Sequence, residues 1–189
     1  MQLSEAQGRD LLNLARGVIR NVLSGQQIVV HVPHDPALHQ PAGAFVSLHA
    51  IHTHRLRGCV GRIDATQPMF QSVAQAAQSV LGDPRFGENR VRLDELAQLE
   101  IEISLLSPLR PASSTTDFDL LTEGIYLTAG SRAGLFLPQV ARETGWSKEQ
   151  LLDRLCTEKL GLPPRTWTTP EAKLQKFSTL LLGPEAFVI

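Results

Sequence analysis

The chain has 189 residues, 42% of them hydrophobic and 20% charged, with a formal net charge of −1. A globular chain of this length buries roughly 70% of the surface its unfolded form exposes, so it needs no disulfide framework or structural metal to fold. Near-neutral charge, one Tyr and two Trp argue against nucleic-acid binding, which calls for a clustered cationic face or stacking aromatics.

The N-terminal run MQLSEAQGRDLLNLARG has polar residues where a signal peptide would have an apolar core, and no apolar stretch approaches the ~20 residues of a membrane span. Cys59 and Cys156 are too few for a secreted disulfide framework and read as free thiols in a reducing compartment. The expectation is a cytoplasmic protein without membrane contact.

Along the chain, Ser4 and Gln7 form a capping box that opens a helix closed by Gly25, with Leu11, Leu12, Ala15, Val18, Ile19 and Val22 as its apolar stripe. The run QQIVVHV predicts a strand, and a proline- and histidine-rich loop follows. Strands are predicted at AFVSLHA and RLRGCVGRI. A second helix starts near Thr66, with Pro68 in its first turn, and stops at Gly82. A short helical piece around Leu93–Leu96 precedes LEIEISLL, whose alternation marks a half-buried strand.

Residues 107–117, rich in Pro, Ser and Thr, make the best linker candidate within a domain spanning residues 1–189. Beyond them GIYLTA and GLFLP predict a hairpin around Gly130, and Ser147 with Gln150 opens a capped helix ending at Gly161. KLQKFSTLLL is the last strand. Irregular alternation with several hairpin-like neighbours predicts α+β, a mainly antiparallel sheet with flanking helices.

LRGCVG, residues 56–61, is the segment that carries chemistry. In an extended strand Arg57 and Cys59 share a face, and a guanidinium beside a thiol favours the thiolate. Gly58 and Gly61 would leave the backbone around the sulfur open to a ligand or another chain. If residues 51–55 form a hairpin loop, His49 pairs with Arg57 and Ser47 with Cys59, which puts His49 diagonal to the sulfur as a candidate base. A one-residue slip would send Cys59 and His49 to opposite faces, and no Asn-Gly turn pins the register. The alternative for Cys59 is a buried small hydrophobe. Cys156 falls on an apolar helical stripe and reads as core.

Six arginines against three acids between Ile51 and Arg92 bracket this segment, so a small anionic ligand is plausible beside solvated surface charge as the blander account. His49, His52 and His54 read as an exposed hairpin tip rather than a zinc site, so no metal and no cofactor is assigned. Asp83-Pro84-Arg85-Phe86 reads as a capped turn after a helix, with Asp83 and Arg85 facing the cysteine as the alternative.

Taken together, FVSLHAIHTHRLRGCVG, DPRF, LEIEISLLSP, GLFLPQVARETGW and LCTEKLGLPPRTW resemble the AMMECR domain family over about residues 11–182, a family that includes AmmeMemoRadiSam system protein A. The resemblance implies an α+β fold of two closely packed lobes with a cleft at or near the RGC-x-G segment. It implies association with a radical S-adenosylmethionine enzyme and a Memo-like protein, and no established reaction. The family's motif residues map to Arg57, Gly58, Cys59 and Gly61, to Asp83–Phe86, and to Gly134, Leu137, Pro138, Gln139, Trp146 and Trp167. The AIHTH tip and the TAGSRAG turn depart from the family's usual short Gly-containing turns. The expected function is a thiol-centred site at Cys59, with Arg57 as anion partner, His49 beside it and Gly58, Gly61, Asp83 and Arg85 lining it. The alternative is a non-catalytic adaptor that docks a partner protein or peptide.

Overall fold

A computed structural model describes residues 2–187. The chain forms two compact units, one made by residues up to Pro108 together with those from Leu180 onward, the other by Leu109–Thr179. The division falls within the first residues of the predicted linker.

In the first unit, helix α1 (Glu5–Leu23) begins at the Ser4/Gln7 capping box, in which Ser4 N–H donates to Gln7 and Gln7 N–H to the Ser4 hydroxyl. Its inner stripe of Leu11, Leu12, Ala15, Val18 and Ile19 is buried. Strands β1 (Gly43–Ala50), β2 (Leu56–Arg62) and β3 (Leu99–Leu106) follow, with helix α2 (Met69–Ser79) and three short 3₁₀ turns between β2 and β3. The order is β2-β1-β3, with both pairings antiparallel. Ala44, Val46, Leu48, Ile101, Ile103 and Leu105 form one apolar face, buried with α1 and α2 in a common core. Burying each Leu or Ile contributes about 1.5–3 kcal/mol. The other face carries Ser47, His49, Glu100 and Glu102, so β2 is left as an edge strand on a sheet with one apolar and one polar side.

In the second unit, β4 (Arg110–Pro111), β5 (Glu123–Ala129), β6 (Arg132–Phe136) and β7 (Ala172–Ala186) give the order β4-β7-β5-β6 over β7's first half; from Leu180 onward β7 belongs to the first unit, beside β3. The predicted hairpin forms, with Gly130 at φ 59° supplying the left-handed residue of its turn. Helix α4 (Lys148–Arg154) starts at the Ser147/Gln150 capping box and runs on as a π-helical stretch to Leu160. Leu152, Leu155, Cys156 and Trp167 lie in this unit's core.

Antiparallel sheet and separate helices make the fold α+β, and no helix of the described residues is long and apolar enough to cross a membrane. The structure departs from the sequence expectations in three elements. QQIVVHV is not a strand, because no neighbour among the described residues pairs with it. Helix α3 (Pro138–Thr144) had no apolar period to announce it; Pro138 in its first turn and Gly145 at φ 67° delimit it. Residues 110–111 of the predicted linker pair with β7 as β4.

Candidate functional site

An edge strand exposes a row of backbone N–H and C=O groups that must find partners or water. At Cys59 they find side chains. The Cys59 N–H donates to Asp83 Oδ2 at 2.9 Å, and Arg85 Nη2 donates to the Cys59 carbonyl at 2.9 Å. Arg85 also donates to Asp83 through Nη2 at 2.7 Å and Nε at 3.1 Å, while the Arg85 N–H caps the turn at 3.1 Å on Oδ1. The capped turn and the cysteine-facing arrangement weighed for DPRF are therefore one structure: Pro84 and the cap fold the turn, which sets an Asp–Arg pair against the edge of β2.

Asp83 is 3% exposed, and its carboxyl is held well below the usual carboxylate range, chiefly by the Arg85 hydrogen bonds and also by the Cys59 and Arg85 N–H groups. Arg85 is held charged mainly by Asp83, with the Cys59 side chain adding a smaller contribution. Its guanidinium meets Cys59 at the backbone carbonyl.

Arg57 does not play this part. Ser47 faces Cys59 as expected, but β2 shifts register between Leu48 and His49, so His49 faces Leu56 and Arg57 is left without a β1 partner. This bulge interrupts the alternation on which the Arg57–Cys59 pairing rested. The Arg57 side chain bonds Glu95 at 2.9 and 3.3 Å and the Asn89 carbonyl at 3.2 Å. Arg57 in turn draws the Glu95 carboxyl below its usual range.

His49 shares a sheet face with Ser47, two residues along β1, and sits opposite Glu100 on β3. His54 bonds Glu100 at 3.1 Å, and among the described residues no three His, Cys, Asp or Glu side chains gather as a metal site. Cys156 is fully buried, and burial pushes its thiol up.

The two glycines serve the chain's own packing, not the open backbone that the sequence suggested. A Cβ on Gly58 would lie 2.9 Å from both the Val80 side chain and its carbonyl oxygen. One on Gly61 would lie 2.1 Å from the Ala44 carbonyl oxygen and 2.6 Å from the Phe45 ring. Strand, turn and aromatic ring close over the space that each glycine frees.

Two features escaped the sequence reading. The register aligns Cys59, Ser47 and Glu102 across three strands, one polar row on the face away from the helices. Its signal was present in the polar phase of FVSLHA and LEIEISLL. Beside the Asp83–Arg85 pair lies a hollow of about 490 Å³, lined by Arg55, Arg57, Arg85, Phe86, Asn89 and Glu95 among others. Within it the Arg55 guanidinium has no partner among the described residues, and the Arg85 side chain is 57% exposed. An arginine-lined hollow of this kind can receive a small anion.

The AMMECR1 family profile matches residues 12–182. A protein of Methanothermobacter thermautotrophicus is 35% identical over 184 residues, covering 93% of each chain, and one of Methanopyrus kandleri is 31% identical over 191 residues, covering 97% of this chain and 91% of its own. The crystal structure of the uncharacterized protein PH0010 from Pyrococcus horikoshii superimposes with a TM-score of 0.86 at 30% identity, over 96% of this chain and 93% of that one. With sequence and fold shared along nearly its whole length, this chain belongs to the AMMECR1 family.

Proposed function

We propose that the protein carries a thiol-centred site at Cys59, with Arg85 as the cation beside the sulfur and the arginine-lined hollow receiving the anionic group of a small substrate or ligand. The supporting observation is the grip of Asp83 and Arg85 on both backbone polar groups of Cys59. It fixes the residue's main chain and holds a guanidinium at the Cys59 carbonyl, and in this reading that cation serves negative charge on the sulfur or on a bound anion. In this reading the site works in the cytoplasm, alongside the radical S-adenosylmethionine enzyme and the Memo-like protein that the family resemblance implies. His49, which faces Leu56 and Glu100 and not Cys59, is not given the part of base in this reading.

The test is alkylation of the native protein by neutral iodoacetamide and by anionic iodoacetate, read by intact mass and peptide mapping. Half-buried Cys59 reacts without denaturant, while buried Cys156 stays silent as the internal control. Arg85→Gln lowers the iodoacetate rate several-fold more than the iodoacetamide rate, and Arg57→Gln leaves their ratio unchanged. Silence of both thiols until denaturant is added sinks the thiol reading.

An adaptor without catalysis is the second reading. It is favoured by the pairing of Arg57 with Glu95 and of Asp83 with Arg85 within the chain. Under it, Cys59→Ala leaves function in cells intact.

A further inference from the structure

The run Gln26–Val32 is rich in β-branched residues and has no glycine, proline, acid, lysine or arginine, yet it pairs with no strand. Ile28 and Val30 lean on the core of the first unit, whereas Val29 and Val32 are 54% and 64% exposed. Over Ile28–His31 burial alternates as in a strand with one side packed, and Val32, of the packed phase, turns outward. Among the described residues no backbone hydrogen bond reaches Ile28–Val32. Unpaired main chain of this composition is a template for another strand.

The segment also forms one wall of a groove of about 750 Å³, with α1 as the other wall and Leu38 and Phe70 among its apolar lining. That volume is in the range of ligand-binding sites, about 300–1,000 Å³. Gly17 lies on the helical wall, and a Cβ there would meet nothing within 4 Å. Glycine in a helix interior costs about 0.5–1 kcal/mol relative to alanine, and the chain's own packing gives no reason for it here. The Asp10 carboxylate, also lining the groove, has no hydrogen bond or ion pair among the described residues.

We propose that this groove binds an extended peptide segment of a partner protein, paired strand-to-strand with Ile28–Val32, its alternate side chains apolar and one of them basic. Unpaired amides and carbonyls at successive residues are matched by a main chain, and an apolar floor takes every second side chain of an extended peptide. Asp10 supplies the preference for Lys or Arg. A second copy of the same run would bring no Lys or Arg to Asp10, so the occupant is a different chain. The groove shares no residue with the Cys59 site, and the inference stands apart from the thiol reading.

The test is display selection of random dodecapeptides on the full-length protein, followed by fluorescence anisotropy and hydrogen exchange with the synthetic winners. The expected result is enrichment of peptides with apolar residues at alternate positions and a Lys or Arg, which slow exchange of the Ile28–Val32 amides. Gly17→Leu, whose Cβ enters open space on the wall, weakens binding about tenfold or more, and alternate backbone N-methylation of the peptide abolishes it. Any one of four results overturns the proposal: no enrichment; binding that leaves these amides unprotected; Gly17→Leu without effect; or pairing of two copies through this segment in sedimentation.

Discussion

Replacing Asp83 with Asn tests whether the Asp83–Arg85 pair holds the edge of β2. Asp83 accepts from four donors: the Cys59 and Arg85 N–H groups, and Arg85 Nε and Nη2. Asn offers one acceptor oxygen and an NH₂ group, so two of those donors lose their acceptor however the amide is turned. The backbone N–H is the buried loss and costs about 1–3 kcal/mol. The Arg85 bonds count for less, about 0–1 kcal/mol, because that side chain is 57% exposed and water replaces the carboxylate. The sum is about 1–4 kcal/mol at neutral pH. The companion Arg85→Gln leaves both N–H groups paired and costs about 1 kcal/mol.

Urea unfolding should be followed by far-UV circular dichroism, since Trp146 and Trp167 both lie in the other unit and tryptophan fluorescence would not report on this one. The Asn variant's midpoint falls by roughly 1 M. A carboxyl whose folded-state pKa is depressed adds stability above its unfolded pKa, near 3.9, and loses it as pH falls toward the folded value. The gap between wild type and Asn variant therefore narrows as pH drops below about 4. A cost under about 0.5 kcal/mol, or a gap that stays constant from about pH 5 to pH 2.5, refutes the argument.

Gly61→Ala, whose Cβ would press on the Ala44 carbonyl oxygen, should cost about 2–4 kcal/mol in the same urea assay, whereas Gly17→Ala should be stabilising by about 0.5–1 kcal/mol. Gly58→Val, the substitution that would otherwise probe partner capture, should unfold the Val80 turn, so its effect on binding has to be read against its loss of stability. The Asp117 carboxyl is held at about 2 by the Ser113 N–H and hydroxyl and by Lys176. Its carbon-13 titration should show that midpoint, and Ser113→Ala should move it upward; an unchanged midpoint means that Ser113 is not the cause.

Local chemistry was legible in the sequence wherever the deciding partner lay a few residues away. Both capping boxes, the Gly130 hairpin and the alternation of LEIEISLL could be read directly, as could the placement of Cys156 in a core. These depend on backbone geometry and period, which neighbouring residues set. Family membership was legible too, from five ordered blocks. Which arginine stands beside Cys59 was not legible. A one-residue bulge turns Arg57 to Glu95, 38 positions along the chain, and a turn beginning 24 positions away brings Asp83 and Arg85 back to the edge of β2. The same holds for Gly58 and Gly61, whose roles belong to Val80 and Phe45, and for Gln26–Val32, a strand by composition that finds no partner among the described residues. Register, edge and pairing are decided by groups that meet only on folding, so strand propensity can be read from the residues themselves while the partner of each strand cannot.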